Sequence, residues 1–222
     1  MTIHDLTRAL PDIETLRARC RAMAALEVVI GGEGDGGYFS YAPQWGPGEE
    51  AALMDNGSGD EYAIVFTTAG AFGYGFDHES PMSPWAHEDR TTWPGLLDGV
   101  PEAFAPQLSE SAFATDEGVL PATAVFWRES GDTAWRAGPV AFPEGVPDPD
   151  GTDHLFAVLA AGTPEAYRDF AEDYWDTDLP LDAVRHLWEL RPLTEAVVDA
   201  LNPGLPLEVV TPWLARLGYP GA

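Results

Sequence analysis

Apolar side chains recur along this chain with two different spacings. Near the N-terminus Ile13, Leu16, Cys20 and Ala24 fall on one helical face, so LPDIETLRARCRAMAALE reads as the first helix. Pro11 suits its first turn, and Asp12 and Glu14 lie at its positive end. From about Tyr38 to Phe76 the period shortens to two. YFSYA, EEAALM, EYAIVF and AFGYGF then read as strands of an antiparallel meander, with Asn56-Gly57 marking a tight turn. In EYAIVF, Tyr62, Ile64 and Phe66 share one face and Ala63 and Val65 the other, which suits a central strand covered on both sides. In the next strand Phe72, Tyr74, Phe76 and His78 form a bulky face. Gly73, Gly75 and Asp77 line a bare one, with room beside Asp77 for another backbone or a small molecule.

Residues 94–111 read as short helical pieces broken at Pro101 and Pro106. Two further strands follow, ATAVFWRE and TAWRAG, around a turn at Ser130, Gly131 and Asp132. A proline-rich connector spans 139–151, and beyond it the period lengthens to about 3.6, predicting four or five helices. Thr163-Pro164 caps one of them, whose stripe is Tyr167, Phe170, Ala171, Tyr174 and Trp175. Asn202-Pro203 closes another, and Thr211-Pro212 opens a last one that Gly218 ends. The expectation is a single α+β domain over 1–222: an antiparallel sheet of about five to six strands with an N-terminal helix, sheet-rich over about 1–140, and a C-terminal helical layer over about 150–222.

Charge changes the picture more than any motif. The net charge is -26, from 37 acids against 11 bases, and every base is arginine. The absence of lysine, with only two asparagines, fits codon bias in a GC-rich genome. The acidity itself opposes nucleic-acid phosphates and anionic lipid, and favours either solubility, adaptation to high salt or a basic protein partner. Apolar runs stop well short of the roughly 18 residues of a membrane span, and MTIHDLTRAL lacks the plan of a secretory signal, so a cytoplasmic, membrane-free protein is expected. Cys20 is the only cysteine; it excludes an internal disulfide and reads as a small buried hydrophobe. No cofactor is assigned, and the oligomeric state stays open.

Gly32, Gly34 and Gly37 satisfy G-x-G-x-x-G, but they lead into a strand and carry Glu33 and Asp35, which would repel a pyrophosphate; a flexible turn is the better reading. Asp55 to Glu61 departs from a calcium loop, because glycines replace oxygen ligands at its third and fifth positions. The strings NGSGDEY (56–62), GAF and GFDHESPMSP (70–84), Asp150-Gly151, PLT (192–194), LNP (201–203) and LGYP (217–220) resemble landmarks of a group of uncharacterised bacterial proteins, from about Tyr38 onward. That resemblance implies a shared fold and no catalytic role for any residue.

GFDHES is the densest polar segment. Leaving a strand at the sheet rim, it offers a candidate pocket of Glu61, Asp77, His78, Glu79, Ser80, Ser83 and Trp85, which Asp60 can approach because consecutive strands pair. The plainer alternative is that Asp77 and Ser80 bond the turn before Pro81. A serine triad with His78 is disfavoured, since neighbours on a strand point apart and no G-x-S-x-G elbow exists. A metal reading gathers Asp77, His78, Glu79, His87, Glu88 and Asp89, in no known ligand spacing, so no metal is assigned. Asp169, Glu172, Asp173 and Asp176 form an acidic helical stripe, either a solvated face or a candidate partner surface. Trp45, Trp85, Trp93, Trp127 and Trp135 fall near strand ends, as core residues or as stacking platforms if exposed. Two readings follow. The leading one is a non-enzymatic binding protein using its acidic surface on a basic protein partner, an immunity-type inhibitor being one form. The alternative is a small-molecule enzyme or ligand-binding protein with a polar, metal-assisted pocket at the GFDHES strand end.

Overall fold

A computed structural model describes residues 1–32, 37–115 and 118–221. Its frame is an antiparallel meander of β1 (Phe39–Gly46), β2 (Glu49–Asp55), β3 (Glu61–Thr67), β4 (Gly70–Phe76) and β5 (Ala124–Glu129), hydrogen-bonded in chain order. The β2–β3 turn is built by Asn56, whose side-chain oxygen accepts from the Ser58 and Asp60 amides while its NH₂ donates to Asp60 at 2.7 Å. The period-two pattern gives β3 two buried faces. Tyr62, Ile64 and Phe66 join a core with the helices, and Ala63 and Val65 join a second core under residues 81–122, with Met82, Leu96 and Phe104.

Two features of the sheet depart from expectation. TAWRAG adds no sixth strand: only Arg136 bridges to Trp127, because the neighbouring Trp135 turns its indole to donate to the Pro11 carbonyl at 2.5 Å and Pro139 follows. The bare face of β4 is filled, not open. A Cβ on Gly73 would lie 2.3 Å from the Phe126 ring, and one on Gly75 would lie 2.8 Å from Phe156. These glycines admit aromatic rings from β5 and the helical layer, leaving no space for a ligand.

The helices are more numerous than the periodicity predicts. A short α1 (Ile3–Ala9) precedes α2 (Ile13–Gly31), so the first helix read from the sequence is the second in the fold. Pro11 lies in the link, and Asp12 starts α2 by accepting the Thr15 amide at 2.9 Å. The helix runs past Glu27 because Val28, Val29 and Ile30 are buried, and Gly32 stops it in the left-handed region at φ 71°. The rest of the glycine-rich turn, residues 33–36, lies outside the described residues. Pro106 sits in the first turn of α3 (Ala105–Leu108), where its missing N–H costs nothing, so it begins that helix instead of breaking it.

Beyond the connector come α4 (Thr152–Leu155), α5 (Ala157–Ala161), α6 (Pro164–Trp175), α7 (Leu181–Trp188), α8 (Glu195–Leu201) and α9 (Leu207–Arg216). Thr163 caps α6 and Asn202 ends α8, as expected. The last helix begins before Thr211-Pro212 and carries Pro212 inside it; the carbonyl that proline leaves free belongs to exposed Glu208, within reach of water. One core runs from Ile3 to Tyr219, with α2 between the sheet and the C-terminal helices. Cys20 lies in it, and burial pushes its thiol up to about 12, which leaves it a packing residue. Among the described residues no helix is long and apolar enough to cross a membrane.

Candidate functional site

The β2–β3 turn, the end of β4 and the start of α4 meet at one end of the sheet. The GFDHES segment divides there into a sealed part and an open part. Asp77 is buried, and its Oδ1 accepts the Glu79 amide at 2.8 Å in an Asx turn. Its backbone N–H donates to Thr123 Oγ1, and that hydroxyl lies 2.8 Å from the Asp150 carbonyl, its acceptor. Ser80 donates to the Pro149 carbonyl at 2.7 Å and accepts the Met82 amide at 2.9 Å; Ser83 accepts the Trp85 amide. The Ser80 and Thr123 hydroxyls join the strand end to the connector, whereas Ser83 only caps the turn at Trp85. Asp150, wholly buried, accepts the amides of Ile3 and Thr152, and burial raises its pKa.

Glu61 does not join Asp77. Its register partner is Phe76, so the two-residue period sends it to the other face, where Tyr74 donates to its carboxylate at 2.9 Å. Asp60, one residue earlier, points to the open part instead. Its Oδ1 accepts the His78 amide at 3.0 Å and lies 2.6 Å from His78 Nδ1. Burial pushes the Asp60 pKa up, but the His78 ring and amide and Asn56 outweigh it, and the net shift is down. The same hydrogen bond holds the exposed His78 above its usual pKa. Glu79 and Trp85 are exposed, Trp85 against the Phe76 ring at 5.1 Å. His87 turns its Nε2 to the Pro81 carbonyl, away from Asp77.

His154, on α4, is the residue that sequence reasoning missed. Its Nε2 lies 3.6 Å from Asp60 Oδ2 and its Nδ1 3.3 Å from Asp148 Oδ2. It stands 76 positions beyond His78 in the chain, so no local motif announces it. Among the described residues the group that could hold a divalent cation is therefore Asp60, Asp77 and His154, whose ligand atoms lie within 4.8 Å of one another, and not the set of neighbours along GFDHES and 87–89.

A groove of about 320 Å³ opens beside His154. Leu155, Val158 and Ala166 give it an apolar floor, and Tyr38 and Phe170 form its walls. Tyr174, nearly half exposed, stacks on Phe170 with centroids 5.7 Å apart and meets Tyr38 edge-on at 5.2 Å. These two rings lie together because they are four residues apart on α6. Burial raises the Tyr38 pKa, and the Asp60 charge adds to the effect. On the outer side of α6, Asp169 pairs with Arg168 and Glu172 accepts the Leu179 amide at 2.9 Å. Asp173 and Asp176 are exposed and form no ion pair among the described residues.

Below the groove Glu27 is buried at the α2–β1–α6 junction, accepting from Tyr167 OH at 2.7 Å and the Tyr38 amide at 3.0 Å. Loss of solvation raises its pKa from 4.5 to about 7, against the pull of those donors. Trp45 stacks on Phe113 at 5.3 Å, and Trp127 and Trp135 are core, so these tryptophans form no shared platform. In comparisons with protein families, curated proteins and solved structures, no match to this chain was found.

Proposed function

We propose that this is a non-enzymatic binding protein that presents its acidic surface to a basic protein partner; inhibition of a basic effector by an immunity-type protein is one form of such a function. The observation that carries this reading is the contrast within the candidate site. The hydroxyls of Ser80 and Ser83 are tied to main chain, whereas Asp153, Asp169, Asp173 and Asp176 are exposed and Asp148 lies beside His154 at the edge of the groove. A net charge of -26 accelerates encounter with a cationic surface and selects against anionic ones. The test is capture of partners from the source organism at about 0.15 M salt, followed by reconstitution with the purified partner. The Asp169→Asn, Asp173→Asn, Asp176→Asn triple variant is expected to weaken that complex at least about tenfold, roughly 1.4 kcal/mol. Recovery of no partner, or a complex indifferent to the triple variant and to salt, overturns the reading.

One observation favours a second reading, a polar, metal-assisted site. Asp60, Asp77 and His154 converge, and the Asp148 carboxylate beside His154 Nδ1 is the arrangement that orients an imidazole Nε2 toward a cation. Mn²⁺ or Zn²⁺ would then raise the melting temperature in wild type and fail to do so in His154→Ala. No rise with either ion removes this reading and leaves the first intact.

A further inference from the structure

We propose that the groove between β1 and α6 is a pocket for one arginine side chain projecting from the partner. The proposal rests on the reading above and specifies its point of contact. Tyr38 and Phe170 line the groove above its apolar floor, and the nearly half-exposed Tyr174 packs against both, the three rings meeting at centroid separations of 4.7 to 5.7 Å. A neutral apolar ligand would satisfy that surface equally, but the charges around it do not match a neutral occupant. The Asp60 carboxylate lies 3.6 Å from Nε2 of His154, which lines the groove on one side. Asp173, three residues beyond Phe170 and so beside it on the helix, stands exposed on the other. A guanidinium stacks on aromatic faces while its methylene stem covers apolar surface, so one side chain answers all three features: rings, floor and carboxylates. The volume, about 320 Å³, is at the small end for ligand sites and suits a single side chain better than a folded element.

His154 at the mouth bears on the same point. Its two ring nitrogens lie 3.6 Å from Asp60 Oδ2 and 3.3 Å from Asp148 Oδ2, which brings two carboxylates to the edge of the groove. Arg168 is neutralised by Asp169 and Glu172.

The experiment uses the full chain and three probes: a Gly/Ser peptide carrying one arginine, the same peptide with neutral citrulline, and hexa-arginine. Binding is read by amide and aromatic NMR shifts at about 50 mM salt, where surface charge is weakly screened. The arginine peptide is expected to shift Tyr38, Phe170, Tyr174 and His154 and to bind at least about fivefold tighter than the citrulline peptide. Tyr174→Ala, which removes a nearly half-exposed ring and whose fold is checked by the dispersion of its amide spectrum, is expected to weaken it about fivefold. Asp182→Asn, on α7 and almost fully solvated, is expected to change nothing. Equal binding of both peptides, or indifference to Tyr174→Ala, overturns the pocket. If hexa-arginine still binds and maps to the outer acids of α6, the broader reading survives alone; if no probe shifts any resonance, both fall.

Discussion

Glu27 and Asp60 both act on Tyr38, yet they are opposite kinds of carboxylate. Glu27 binds the Tyr38 amide from within, receives only neutral donors, and is driven up to about 7 by burial. Asp60 acts on the phenol from the rim, receives an imidazole, and is held below its usual range. The difference generalises across this end of the sheet. Asp77, Ser80, Thr123 and Asp150 belong with Glu27, as polar groups that hold backbone to backbone. Asp60, His78, His154 and Asp148 belong together as an ion-paired group, in which two exposed imidazoles connect the buried Asp60 to the surface. Polar density in a sequence therefore marks a junction as readily as a site, and what separates the two is whether main chain satisfies the side chains first.

The sharpest way to break this contrast is through pH. Because Glu27 binds its proton more tightly folded than unfolded, the native state holds more protons between pH 4.5 and about 7, and its contribution to stability falls as pH rises through that window. Glu27→Gln keeps a group that can bond Tyr167 and Tyr38, so it should match wild type near pH 4.5 and exceed it at pH 8 by up to about 3 kcal/mol in urea unfolding. A wild-type curve with the opposite slope across this window, unchanged by the variant, would place Glu27 with Asp60.

Gly151→Ala should cost about 2 to 3 kcal/mol. Gly151 has φ 71°, and a Cβ there would lie 2.4 Å from Asp77 Cβ, forcing apart the strand end and the connector. Ser80→Ala should cost about 1 to 2 kcal/mol by orphaning the buried Pro149 carbonyl and Met82 amide; a neutral result would take Ser80 out of the group that holds backbone to backbone. The smallest effect is expected at the rim. Asp60→Asn should change stability by less than about 1 kcal/mol while returning the His78 pKa toward its usual value, followed by imidazole NMR. The sign is that of a raised histidine and a depressed aspartate. Their attraction is present between the two pKa values, lost at acid pH as Asp60 protonates and at alkaline pH as His78 loses its proton.

Alternation and turn chemistry made most of the sheet legible. EYAIVF specified two buried faces, and Asn56-Gly57 specified the turn that carries Asp60 to the rim. The α6 stripe was legible for the same reason, since residues three and four apart must share a face. Helix boundaries were less so. Pro106 and Pro212 looked like punctuation, but Pro106 lies in the first turn of α3, where its N–H has no partner to lose, and Pro212 sits inside α9, where the carbonyl it frees is exposed.

The site was only half legible. Local pattern identified GFDHES and Asp60 as polar groups near one strand end, and the charge of the chain supplied only an expectation about its partner. Tertiary packing decided the rest: that the gap beside Gly73 is filled by Phe126, that Glu61 faces away, and that His154 and the groove reach the rim from the far side of the connector. Spacing along one strand determines which side of a sheet a residue occupies, but what covers that side comes from chain remote in sequence, and covering is what separates a junction from a surface that can bind.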